Sequence, residues 1–118
     1  MTTVVQLNHR KKPHPADDLS FMERRTPEGS GINYWMVDST GAYEADCKRG
    51  MQLAHEYLSY IGQHPTAGNA TLLGCIVRGM LERAQDGKID GVAIGFLRSV
   101  NCAAMVTAMY APEATQKI

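Results

Sequence analysis

The chain is short of most features that announce a chemistry. Its three cysteines, Cys47, Cys75 and Cys102, are odd in number and far apart. That pattern is not a disulfide framework, and without a C-x₂-C pair it lacks the close ligand spacing of a zinc site. Neither sign of charge is in excess: twelve Lys and Arg balance twelve Asp and Glu. A chain built mainly to coat nucleic acid or anionic lipid usually carries a basic surplus, so that class is disfavoured. No uninterrupted apolar run approaches the ~18 residues that span a bilayer, so no membrane association is expected. The apolar pair Val4-Val5 precedes the basic residues, the reverse of signal-peptide order, and the expectation is a cytoplasmic protein. Paired carboxylates, a nucleophile elbow, H-E-x-x-H and a dinucleotide fingerprint are all missing. No catalytic residue, cofactor or metal ligand is therefore assigned, and an enzyme is the third-placed reading.

What is there is enough for one small domain. The chain has 118 residues, 44% of them apolar and 20% charged, which is ordinary for a globular protein. Residues 1–30 differ from the rest. They hold three of the five prolines and the polar run His9-Arg10-Lys11-Lys12-Pro13-His14-Pro15. Such a segment buries too little apolar area to offset its ordering entropy, so a flexible tail is expected. Two exceptions are open: Thr3–Leu7 as an added strand, and Leu19 to Met22 docked as a single turn.

The predicted fold is mainly α: one short N-terminal strand followed by three helices over 31–110, with 111–118 frayed. Ile32-Asn33-Tyr34-Trp35-Met36-Val37-Asp38 reads as the strand, being rich in aromatic and β-branched types between Gly31 and Gly41. Its partner is open between residues 3–7, a later segment and a second copy. Residues 42–62 read as the first helix, with the stripe Tyr43, Cys47, Met51, Ala54, Leu58, Ile61 inward. Tyr57 and Tyr60 do not both fit that stripe, so at least one is expected outside. Residues 69–86 read as the second helix, capped by Asn69, with Leu73, Ile76, Val77, Met80, Leu81 and Ala84 inward and Asp86-Gly87 as its stop. Residues 90–109 read as a third helix capped by Asp90. The alternative is an α+β arrangement, with a small sheet formed by 32–37 and 91–94 or 3–7.

The third helix carries the most informative pattern. Phe96, Leu97, Val100, Cys102, Ala103, Ala104, Met105, Val106, Ala108 and Met109 surround almost its whole circumference. A helix apolar all round is either central in its core or shared with a partner. With so few other elements to cover it, a homodimer or a protein partner is expected, through Trp35, Phe96, Cys102, Met105 and Met109. The competing class is a nucleic-acid accessory protein, with Arg10, Lys11, Lys12, Arg24 and Arg25 on phosphates. Asp17, Asp18, Glu23 and Glu28 leave that arm nearly neutral, which weighs against it.

Other pairings are weak. Cys47 and His55 lie eight residues apart, ~12 Å along a helix axis, too far for a local nucleophile–base pair. One cysteine falls on each helix, so Cys47, Cys75, Cys102 and His55 can converge in principle. Gly87-Lys88-Ile89-Asp90-Gly91 lacks phosphate-loop spacing and reads as a connecting turn. Finally, Val4-Val5-Gln6-Leu7 before a basic, proline-containing tail, with the block Gly68-Asn69-Ala70-Thr71-Leu72-Leu73, resembles small accessory proteins of bacterial and prophage regions. That resemblance implies a cytoplasmic binder or regulator.

Overall fold

A computed structural model describes residues 14–25 and 31–110, so the Thr3–Leu7 strand, the Arg10–Lys12 arm and the C-terminal 111–118 lie outside the described residues. The fold is mainly helical with a small two-stranded antiparallel sheet. In chain order it runs α1 (Pro15–Asp18), β1 (Glu23–Arg24), β2 (Ile32–Asn33), α2 (Tyr43–Gln63), a 3₁₀ turn (Ala67–Thr71), α3 (Leu72–Glu82) and α4 (Gly91–Tyr110).

The body of the protein begins before residue 31. Leu19, Phe21 and Met22 are buried in the core, so the single-turn docking open for Leu19 to Met22 is what the structure has. The Glu56 carboxylate of α2 ties this turn down, accepting from the Ser20 amide (2.9 Å) and hydroxyl (2.7 Å). The turn also supplies the strand's partner, which was none of the anticipated ones. Glu23 pairs with Asn33 and Arg24 with Ile32, and the Met36 amide donates to the Phe21 carbonyl at 2.7 Å. Regular pairing covers 32–33 alone, because from Tyr34 the chain turns inward to bury Trp35. Residues 91–94 are helical, which removes the alternative sheet with 32–37.

The core centres on aromatic rings. Phe96 meets Trp35 (5.2 Å), Phe21 (5.5 Å) and Tyr57 (5.6 Å), and Phe21 meets Trp35 (5.4 Å). All four pairs are tilted or edge-on, the geometry in which ring quadrupoles attract, worth about 0.5–1.5 kcal/mol per pair beyond area burial.

Helix α2 is rotated by one residue from the expected stripe. Its buried positions are Asp46, Gly50, Leu53, Ala54, Tyr57 and Tyr60, while Tyr43 and Met51 are exposed. Both Tyr57 and Tyr60 are buried, against expectation, because α2 is covered on two sides. Tyr57 packs on Phe96 of α4, and Tyr60 lies tilted against His64 (4.7 Å) at the edge where Leu19 and Asp18 lie.

Glycine sets the α2–α4 distance. A Cβ on Gly50 would sit 2.1 Å from the Val92 carbonyl oxygen, and one on Gly95 2.2 Å from that of Cys47. Both helices therefore touch backbone to backbone, which no other residue permits. Asp46 secures the start of α2: its carboxylate accepts from the Thr40 hydroxyl (2.7 Å), the Thr40 amide (3.0 Å) and the Gly41 amide (3.2 Å). These donors hold the Asp46 carboxyl below the usual carboxylate range.

The remaining boundaries also shift. Residues 67–71 form a 3₁₀ turn capped by the Thr66 hydroxyl, not an α-helix capped by Asn69. Helix α3 ends at Glu82 and buries Leu72, Ile76, Gly79 and Met80, leaving Leu81 exposed. Asp86-Gly87 is not its stop. Both residues have positive φ, at +56° and +71°, and Lys88 N–H donates to the Gln85 carbonyl at 3.0 Å. That is the signature of a type I′ turn. Asp90 does cap α4 as expected, its carboxylate accepting from the Ala93 amide at 3.0 Å.

Candidate interaction surface

Helix α4 splits into two halves. Gly91, Val92, Ala93, Gly95 and Phe96 are buried against α2 and the aromatic centre. Past Asn101 the helix leaves the body. Met105 is 56% exposed, Val106 52%, Met109 72% and Tyr110 83%. Alanines 103, 104 and 108 fill the positions between them, so this bare segment is apolar on every side. Ordinary surfaces carry exposed apolar residues singly, whereas here they are contiguous.

The five residues expected at an interface therefore divide. Cys102, Met105 and Met109 are exposed. Trp35 and Phe96, against expectation, are not at the surface: both are core residues, 2% and 0% exposed, and meet edge-on. They read as interface candidates because the sequence did not show that the turn at Phe21 comes back to cover them.

Of the expected phosphate contacts, the two described arginines are engaged within the chain. The Arg24 guanidinium donates twice to the Asp17 carboxylate (3.2 and 3.1 Å), and Arg25 donates to the Asn33 side chain (3.0 Å).

The three cysteines do not converge. Cys47 and Cys102 line one groove with His55, where α2 and α4 diverge. Cys75 lies in a separate hollow of about 520 Å³ with His14, Tyr34, His64, Asn69 and Thr71. There the Tyr34 hydroxyl is pushed up in pKa by burial and by the Cys75 thiol beside it. No group of three or more His, Cys, Asp or Glu side chains among the described residues is placed to hold a metal ion. Lys88 and Asp90, from the glycine-flanked turn, border a smaller hollow of about 250 Å³ with Trp35 and Arg83. Arg83 pairs with Asp38 at its rim.

What reading the sequence missed is the groove itself. Cys47, Met51 and His55 form one wall, and Gly95, Ser99 and Cys102 the other, around about 480 Å³ of open space. Cys47 and Met51 belong to the stripe assigned to the core. The signal was present as a second apolar flank of α2, one residue out of phase with the buried one.

Helix α4 is also long and apolar enough to cross a membrane by length and composition, although Arg98, Ser99 and Asn101 interrupt its apolar run. Its first half is occupied inside the fold. The bare part, 101–110, extends about 15 Å, half of the ~30 Å hydrocarbon core. No protein-family model, no curated protein and no solved structure matches this chain.

Proposed function

We propose that the protein is a small cytoplasmic protein-interaction or regulatory module that self-associates through the second half of α4. The observation that carries this reading is the exposure of Met105, Val106 and Met109 on a helix whose first half is part of the core. Water contact with so much contiguous apolar surface is unfavourable by about 25 cal/mol per Å². A second chain that covers it recovers that free energy. The nucleic-acid reading has less support, because Arg24 is already neutralised by Asp17.

Size-exclusion chromatography with light scattering, at two salt concentrations, tests the proposal. A dimer mass that persists at high salt is the expected result, since apolar contacts do not weaken with ionic strength as phosphate contacts do. The double variant Met105→Glu/Met109→Glu should give a monomer with unchanged helical content. A wild-type monomer at all concentrations would overturn the reading.

A further inference from the structure

The hollow bordered by Trp35, Arg83, Lys88 and Asp90 holds a buried donor with nothing to donate to. Trp35 is 2% exposed, and among the described residues its indole N–H finds no acceptor. A buried tryptophan N–H usually has a partner. Nor is this one sealed away, since the Tyr60 hydroxyl is the only enclosed side-chain polar atom without a partner among those residues. The N–H therefore keeps an opening, at the hollow that Trp35 borders.

Charge around the hollow is balanced, and half of it is already engaged. Arg83 pairs with Asp38 at the rim. Among the described residues the Lys88 ammonium has no ion pair. Asp90 accepts from the Ala93 amide through one carboxylate oxygen, and the other has no donor among those residues. The backbone brings these two groups together. Ile89 packs against the core, while Lys88 and Asp90 on either side of it border the hollow, the alternation of an extended chain. Two residues apart, their Cα atoms lie within ~7 Å of each other. One free cation and one free carboxylate oxygen thus stand side by side at a pocket with an indole donor. Trp35, Met80 and Ala93, all buried, make its apolar floor.

We propose that this hollow binds a free α-amino acid with an aliphatic side chain. Its carboxylate accepts from the Lys88 ammonium and the Trp35 indole N–H. Its ammonium donates to Asp90, and its side chain lies on Met80 and Ala93. A zwitterion fits the charge balance as neither half of it does: a plain carboxylate would face Asp90 unpaired, and a plain amine would face Lys88. Size agrees. The hollow encloses about 250 Å³. An apolar cavity of about 150 Å³ accepts benzene, which leaves room here for about ten non-hydrogen atoms, the size of leucine. The site sits at the start of α4, away from the bare residues 101–110, and goes beyond the self-association reading without resting on it.

Trp35 is the chain's one tryptophan, so its emission reports on the site directly. L-Leucine is titrated into the full chain, followed by tryptophan emission and by calorimetry. A saturable change is expected, with half-saturation at or below about 1 mM in both signals. 4-Methylpentanoate, which lacks the ammonium, and 3-methylbutylamine, which lacks the carboxylate, should each bind at least about tenfold more weakly. Lys88→Met and Asp90→Asn each remove one charge. Lys88 is exposed on a turn, and asparagine caps a helix as aspartate does, so both variants should keep the wild-type helix signal while half-saturation by leucine rises at least about tenfold. Asp90→Asn should leave the weak binding of 4-methylpentanoate no weaker. No response to leucine up to about 20 mM overturns the site. Equal binding of leucine and 4-methylpentanoate overturns the zwitterion, as does leucine binding that survives unchanged in both variants.

Discussion

The two halves of α4 are both apolar and have opposite fates. Residues 91–100 carry Val92, Ala93, Ile94, Phe96, Leu97 and Val100, and residues 101–110 carry Cys102, Ala103, Ala104, Met105, Val106, Ala108 and Met109, each with few polar breaks. The first half is buried and the second is bare. What separates them is glycine. Gly91 and Gly95 let α4 lie on the backbone of α2, and the second half has no glycine and, among the described residues, stands exposed. Apolarity states that a surface needs cover. Steric detail decides whether the chain itself supplies it.

The largest effect should come from the contact that makes the first half different. In Gly95→Ala or Gly50→Ala the new methyl would meet backbone oxygen at 2.2 or 2.1 Å. Neither partner is a flexible side-chain end, so the helices must separate. We expect a loss of about 3 kcal/mol or more, at or beyond the upper end of ordinary overpacking, read as a drop in the urea midpoint. A native midpoint in either variant would break the comparison at its root.

Truncating one large side chain in each half sharpens it. Phe96 is fully enclosed by Trp35, Phe21 and Tyr57, so Phe96→Ala should cost about 3–5 kcal/mol. Met109→Ala, at a site 72% exposed, should change the stability of the isolated chain by no more than about 0.5 kcal/mol. Denaturation at concentrations below dimer dissociation measures both. Similar losses would mean that the second half is covered by its own chain.

A smaller, pH-dependent effect belongs to Asp46, which lies where Gly91 meets α2. Its folded carboxyl is held below the usual range by the Thr40 hydroxyl and amide. A depressed carboxyl stabilises the fold above the unfolded value of about 3.9, and that stability is lost as pH falls through it toward the lower folded value. Asp46→Asn should therefore lower the melting temperature at pH 7, with a difference from wild type that shrinks on acidification below about pH 4. A pH-independent difference would assign Asp46 a packing role alone.

The same contrast explains what was legible in the sequence. Periodicity located all three long helices, and Asp90 marked the start of α4. The phase of α2 was not legible. Counting apolar residues selects Tyr43, Cys47 and Met51, yet the buried seam runs through Asp46 and Gly50. Neither looks like core: one is there for its hydrogen bonds, the other for its missing side chain. Trp35 and Phe96 were correctly seen as important and assigned to the wrong place, because their cover is Phe21, a residue within a segment of tail-like composition. Met105 and Met109 were legible as candidates because the predicted elements offered too little apolar surface to cover every face of the third helix.

If close approach alone makes a glycine indispensable here, then a helical glycine with open space around it should be dispensable. Gly74 in α3 has nothing within 4 Å of a Cβ built on it, and its φ is not positive. Alanine there reduces the backbone entropy of the unfolded chain and meets no neighbour in the folded one. We expect Gly74→Ala to stabilise by about 0.5–1 kcal/mol, a small rise in urea midpoint and opposite in sign to Gly95→Ala. Equal destabilisation at both positions would mean that these helices tolerate no added methyl anywhere. The backbone contact of α2 and α4 would then lose its claim to be what divides the two halves of α4.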